Sequence, residues 1–192
     1  MLTIISGKHR GRKIELKKNT SIRPTGSRTR GAVFNILMHG KFGPDGNSPI
    51  IDKSVIDLFC GSGALGLESL SRGAKHVTFV DGSAESIAIA RSNVAHLKEE
   101  ENASLIRSDS TSLPKARKTC SLAFLDPPYN SGLAVKSLTS LDVQGWLENG
   151  AVAVVELSAK ETLTAPKNYT IFDERKYGNT KIVLLTYNQP AP

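Results

Sequence analysis

The residues best equipped for chemistry are Asp126-Pro127-Pro128-Tyr129, which follow the apolar run Ser121-Leu122-Ala123-Phe124-Leu125. A carboxylate, two rigid prolines and an aromatic ring held where a strand ends suit a flat molecule that carries an amino group. The exocyclic amine of a nucleobase is a poor nucleophile because its lone pair is delocalised into the ring. The Asp126 carboxylate can accept one of its N–H bonds and the Pro127 carbonyl the other, drawing the nitrogen toward a pyramidal shape with its lone pair aimed at an electrophile. The locked φ of proline fixes where that carbonyl points. Tyr129 is placed to stack on the base face, as in enzymes that extrude a base. The same four residues also make an ordinary strand-to-turn exit, so their weight depends on what stands upstream.

Upstream, Ser54-Val55-Ile56-Asp57-Leu58-Phe59 reads as a buried strand that runs into Cys60-Gly61-Ser62-Gly63-Ala64-Leu65-Gly66 and then a helix through about Arg72. Gly61, Gly63 and Gly66 fit G-x-G-x-x-G in its proper setting, where glycines let the backbone approach a ligand closely. The pattern suits NAD, FAD and S-adenosylmethionine equally. Asp81, twenty residues after Gly61 and at the end of the next strand, is placed for two ribose hydroxyls. It could also cap the following helix alongside Ser83. A third strand-end acid, Asp109, could accept from an adenine amino group. All these residues fall at the carboxyl ends of expected strands, the edge where open α/β sheets bind ligands. An NAD-dependent oxidoreductase needs no aromatic tetrapeptide, and the four histidines offer no evident hydride-transfer acid or base.

The elements that must hold these residues follow from periodicity. Strands are expected over His76 to Val80, Ser104 to Ile106, Ser121 to Leu125 and Ala151 to Leu157, with a helix capped by Ser83 that carries Ile87, Ala90, Val94 and Leu97 on one face, and another over Leu133 to Leu141. This alternation predicts a doubly wound, largely parallel sheet. Tyr169 to Asp173 and Lys181 to Tyr187 have no helix between them and are expected to close the sheet as an antiparallel pair through Tyr177-Gly178-Asn179-Thr180. At the start, Leu2 to Ser6 and Arg12 to Leu16 read as a β-hairpin with a basic tip, followed by a helix N-capped by Ser27 with Ala32, Val33, Ile36 and Leu37 on one face. The loop Gly40 to Pro49 divides an N-terminal appendage, 1–49, from the main domain, 50–192.

At 192 residues, 39% hydrophobic and 22% charged, the chain has the composition of a globular domain. It contains no apolar run near the roughly 18 residues that a bilayer-spanning helix needs. The apolar start precedes its basic cluster, unlike a secretory signal. Two cysteines, Cys60 and Cys120, make neither a disulfide framework nor a metal cluster, so the cytoplasm is the expected compartment, with no metal and no membrane partner. The net charge of +7 is concentrated: residues 1–31 hold nine Lys/Arg against Glu15 alone, and the remainder is close to neutral. Such density is the footprint of a polyanion, most often nucleic acid.

With these residues in view, Asp57-Leu58-Phe59-Cys60-Gly61-Ser62-Gly63 together with Asp126-Pro127-Pro128-Tyr129 resembles a class I S-adenosylmethionine-dependent methyltransferase acting on an amino nitrogen. Gly7-Lys8-His9-Arg10-Gly11-Arg12-Lys13, the run Arg23-Pro24-Thr25 through Arg28, Phe34-Asn35-Ile36-Leu37 and Tyr177-Gly178-Asn179-Thr180 extend the resemblance to the bacterial small-subunit (16S) ribosomal RNA guanine-N2 methyltransferases of the D type. Gly31 departs from the pattern, which has a glutamate there.

The resemblance implies a Rossmann-like fold with a mostly parallel seven-stranded sheet and helices on both faces. It implies S-adenosylmethionine as cofactor, held by Pro24, Thr25, Asp57, Phe59, Gly61, Gly63, Asp81, Asp109 and Asp126. It implies a guanine amine of small-subunit ribosomal RNA as acceptor, handled by Asp126, Pro127, Pro128 and Tyr129, with RNA contacts from Lys8, Arg10, Arg12, Lys13, Arg28 and Arg30. The expected partner is the small subunit or an assembly intermediate, and the expected state a monomer. Two rivals stand beside this reading: an adenine-amino DNA methyltransferase, and a non-catalytic RNA-binding module with a vestigial cofactor pocket.

Overall fold

The chain is described by a computed structural model over residues 1–16, 26–40, 42 and 46–189. Its centre is built from the apolar, β-branched runs. β3 (Ser54–Leu58), β4 (His76–Asp81), β5 (Ala103–Arg107), β6 (Cys120–Leu125), β7 (Leu147–Ser158), β8 (Tyr169–Tyr177) and β9 (Thr180–Tyr187) form one sheet in the order β5-β4-β3-β6-β7-β9-β8. The first five strands in that order are mutually parallel, and β9 runs antiparallel to both β7 and β8. The expected seven-stranded, mostly parallel sheet is therefore present, with the antiparallel pair closing one edge.

Alternate residues of the central strands enter two separate cores, which is why those strands read as continuously apolar. Val55, Phe79, Phe124 and Val154 lie in one core with α1 (Ser27–His39), α2 (Ala64–Ser71) and α3 (Ala84–Leu97). Ile56, Val80, Leu125 and Val155 lie in the other with α4 (Leu133–Val143) and Trp146. Helices thus cover both faces. From β3 the chain winds outward through β4 to β5 and returns to β6 on the other side of β3. The carboxyl ends of β3 and β6 flank this reversal of winding, the place where such sheets open a crevice.

The N-terminal segment differs from its expected form. Its strands β1 (Leu2–Thr3) and β2 (Lys13–Ile14) are only two residues each, and the hairpin lies against α2 and α3 instead of projecting. The Glu68 carboxylate accepts Ile5 N–H at 2.8 Å and Ser6 N–H at 3.1 Å. Lys8 N–H donates to the Ser71 carbonyl at 2.8 Å. Asn93 accepts from Glu15 N–H and donates to the Glu15 and Ser62 carbonyls. Gly7 is required by this docking: its φ is +82°, and a Cβ would fall 1.8 Å from the Ser71 carbonyl oxygen. Ile4, Ile14, Val33, Phe34 and Leu37 share the core of the sheet, so the break at residue 49 divides the sequence without dividing the core.

Three boundaries also move. Gly26, not Ser27, holds the N-cap position of α1, so the N-cap residue offers no side chain to the helix. β7 begins four residues before the expected Ala151, and β8 extends to Tyr177, tightening the last turn to Gly178-Asn179. Ser83 caps α3 as expected, accepting Ser86 N–H at 3.3 Å. Among the described residues, no helix is long and apolar enough to cross a membrane.

Candidate active site

The parallel pairings bring Phe59, Asp81, Asp109 and Asp126 to one edge of the sheet, at or just beyond the carboxyl ends of β3, β4, β5 and β6. The glycine loop between β3 and α2 carries the sharpest backbone. Phe59 has φ +58°, unusual for a side-chain-bearing residue, and Gly61 and Gly63 have φ +54° and +81°. Each glycine has a different reason to be one. A Cβ on Gly66 would fall 2.2 Å from the Phe79 ring, so its absence lets α2 lie close on β4. A Cβ on Gly63 would press on the same ring at 3.2 Å. At Gly61 a Cβ would meet nothing within 4 Å, so this glycine fronts open space where a ligand can approach the backbone.

Asp81 and Asp57 shape this loop from two sides. Asp81 accepts Gly61 N–H at 2.9 Å on one oxygen and Ser83 N–H at 2.8 Å on the other. It therefore caps the turn into α3, and each oxygen keeps acceptor capacity for a diol. Asp57 lies beneath the loop, 2% exposed, and accepts Gly66 N–H at 2.9 Å. Its carboxylate braces the start of α2 from inside the protein. Asp109 is exposed, and one of its oxygens takes both the amide and the hydroxyl of Thr111 at 2.8 Å; these bonds hold its carboxyl below the usual range. This donor set fits a nucleoside-bearing cofactor: acceptors for a ribose diol and an exocyclic amine, beside a glycine that leaves room. Pro24 and Thr25 lie outside the described residues.

Burial pushes the Asp57 carboxyl up to about 7, with Asp81 adding to the rise and the Gly66 bond opposing it. A raised native pKa means the folded chain holds one proton more than the unfolded chain between about pH 4 and pH 7. That contribution is complete below the unfolded pKa of 3.8 and is lost as pH rises through 7. Relative to Asp57→Asn, the parent is expected to lose stability as pH rises through this window, by up to about 1.4 kcal/mol per pH unit. Urea titrations of both chains from pH 5 to 8 check this. A pH-independent difference would contradict it.

At the acceptor end, Pro127 is buried, Asp126 half-buried and Tyr129 45% exposed. The Tyr129 hydroxyl donates to Glu156 Oε1 on β7 at 3.1 Å and lies 3.1 Å from the Thr180 hydroxyl. The ring is thereby fixed at its far end while much of its surface faces solvent, which suits a stacking platform. Burial, with the nearby charges of Glu156 and Asp126, pushes the phenol up to about 12. Glu156, 5% exposed, was not among the expected site residues. Its signal was available: it is the one acid within the run Ala151 to Leu157.

The basic residues divide. Arg10, Lys13 and Arg28 are exposed. Lys8 is 52% exposed and pairs with the buried Glu99 at 2.7 Å, which also binds His9. Arg12 is half-buried and donates to the His96 carbonyl at 3.0 Å. Arg30 corrects the expectation of an RNA contact. It is 1% exposed, donates to the Thr3 carbonyl at 2.6 Å and lies 3.8 Å from Glu68. It shares a helix face with Val33, Phe34 and Leu37, three, four and seven residues on, so it points into the core. Arg23, Lys17 and Lys18 lie outside the described residues.

Residues 2–186 match the family model described as Conserved hypothetical protein 95. The ribosomal RNA small subunit methyltransferase D of Haemophilus influenzae is 34% identical over 180 residues, covering 91% of this chain and 88% of that protein. The protein of the same name from Escherichia coli K12 is 34% identical over 179 residues, covering 92% and 85%. A solved structure named "Putative methyltransferase yhhF from Escherichia coli" superposes with a TM-score of 0.82 at 30% identity, covering 98% of this chain and 99% of that one.

Proposed function

We propose, from the premise that this chain belongs to the methyltransferase family of the ribosomal RNA small subunit methyltransferases D, that it methylates the exocyclic amine of a guanine in small-subunit ribosomal RNA. The observation that carries this is that Asp126 and Pro127 directly follow β6 while Gly61 lies in the loop directly after β3, and the two strands pair in parallel with Leu58 opposite Leu125. When bound, S-adenosylmethionine supplies an electrophilic methyl group on a sulfonium. The chain's own residues do the positioning. Gly61, Gly63, Asp81 and Asp109 hold the donor, with Phe59 at the loop's entry and Asp57 bracing it. Asp126 and the Pro127 carbonyl would accept the two amine N–H bonds and so aim the nitrogen lone pair at that methyl group, whose bond to sulfur breaks as nitrogen takes it, the electron pair staying on sulfur. The proton leaves readily, because nitrogen becomes acidic once it carries the methyl. Tyr129 supports the base by stacking.

Lys8, Arg10, Lys13 and Arg28 offer phosphate contacts that orient the RNA without reading its sequence. The protein is proposed to act in the cytoplasm as a monomer. Calorimetry tests the cofactor assignment: S-adenosylmethionine is expected to bind with one-to-one stoichiometry, and NAD to give no heat of binding. NAD binding without S-adenosylmethionine binding would overturn the reading.

A further inference from the structure

Asn93, in the second half of α3, is 1% exposed and uses its amide in two directions. Toward the hairpin, Oδ1 accepts Glu15 N–H at 2.8 Å and Nδ2 donates to the Glu15 carbonyl at 3.0 Å. Toward the glycine loop, Nδ2 donates to the Ser62 carbonyl at 2.9 Å. A side-chain amide carries two N–H donors, and both are used here. Ser62 stands between Gly61 and Gly63, whose φ values are +54° and +81°. Glycine takes either sign of φ at little cost, so two of them flanking one residue leave the peptide planes of the turn free to rotate. The plane joining Ser62 to Gly63 is instead held at both ends. Asn93 takes its carbonyl, and its N–H donates to the Cys60 carbonyl at 2.7 Å. Because the peptide unit is planar, these two bonds fix its tilt.

We propose that Asn93 is a positioning residue for the cofactor. By holding the Ser62 carbonyl it keeps the glycine loop in the shape that admits S-adenosylmethionine, and the N-terminal segment, gripping the same amide at Glu15, supports that shape. This rests on the transferase reading above and deepens it. A loop already in its binding conformation loses less conformational freedom when the ligand arrives. With Asn93 removed, the Gly61-Ser62-Gly63 turn samples other peptide orientations, and affinity falls in proportion to the fraction of molecules left in the competent one. The hairpin thereby gains a role beyond its cations: it braces the donor side of the crevice.

The test is calorimetry of S-adenosylmethionine with the full-length parent, Asn93→Ala and Ser71→Ala, each used under conditions where urea titration shows it folded. Ser71→Ala is the control. It removes the acceptor of His9 N–H and the bond to the Ser6 carbonyl, loosening the hairpin at the end of α2 away from the glycine loop. Asn93→Ala is expected to raise the Kd about tenfold, and Ser71→Ala to change it less than threefold. In ligand-free protein, amide hydrogen exchange at Gly63 is expected to quicken in Asn93→Ala and to stay unchanged in Ser71→Ala. Should Asn93→Ala fail to fold, Asn93→Ser, whose hydroxyl keeps one donor, carries the same comparison. A Kd within threefold of the parent in the Asn93 variant would overturn the inference. So would an equal rise in both variants, which would mean that Asn93 acts only by docking the hairpin. A parent chain that binds no S-adenosylmethionine would overturn the transferase reading, and this inference with it.

Discussion

Asp126→Ala is expected to lower methyl transfer on the order of a hundred- to a thousandfold while leaving S-adenosylmethionine affinity within severalfold of the parent. The reasoning starts from the acceptor. An amine conjugated to a purine ring has little lone-pair density to offer, and the carboxylate at the end of β6 is the group proposed to restore it. Pro127, buried directly beyond it, fixes the second acceptor. Loss of one preorganised hydrogen-bonding group at a reacting centre typically costs a factor of about 10² to 10³. In the proposed site the donor is held mainly from β3, β4 and the loop after β5, so its affinity should depend little on this side chain. Single-turnover transfer to small subunits, with calorimetry of the cofactor, separates the two effects. Turnover within tenfold of the parent would remove Asp126 from the chemistry.

Glu68→Ala is expected to destabilise the fold by about 3–5 kcal/mol, the usual cost of leaving a buried charge without its partner. Glu68 is fully buried and bound on every side. It receives Arg72 Nε at 2.7 Å, lies 3.8 Å from Arg30 Nε and accepts the amides of Ile5 and Ser6. Arg72 also stacks over the Phe34 ring at 4.8 Å. Removing the carboxylate strands two guanidinium groups and two backbone donors at once, each unmet donor adding its own desolvation cost. For a chain of this size the melting temperature should fall by roughly 10 °C. Glu68→Gln, whose single oxygen can keep one of the two amide contacts, should lose less. A loss below about 1 kcal/mol in the alanine variant would mean that the Glu68 carboxylate contributes little to the docking of the hairpin.

The sheet, its strand-end acids and its antiparallel closing pair were legible because each depends on local pattern: strand and helix alternating, glycines at a strand end, a serine before a helix. Arg30 and Glu156 show where pattern was available but unread. Arg30 has helical spacing with Val33, Phe34 and Leu37, and Glu156 alternates with Val152 and Val154, so each falls on a buried face. Composition made the first look like part of an RNA surface, because nine basic residues cluster in 1–31. The docking of the hairpin was not legible at all. Glu68, Ser71, Asn93 and Glu99 meet it across 62 to 90 residues of chain. No local signal announces such a partner.

Under the proposed function, the same long-range contacts tie the N-terminal charge to the site. With the hairpin bolted to α2 and α3, its exposed cations hold a fixed position relative to the glycine loop that opens α2, so RNA held by its phosphates would meet the crevice in one orientation.

The most direct test of the central claim is a mass analysis of nucleosides from the small-subunit ribosomal RNA of cells lacking the gene, complemented with the parent chain or with Asp126→Ala. One N2-methylated guanosine should be missing in the deleted strain, return with the parent and stay absent with the variant. An unchanged set of methylated guanosines in all three strains would contradict the account.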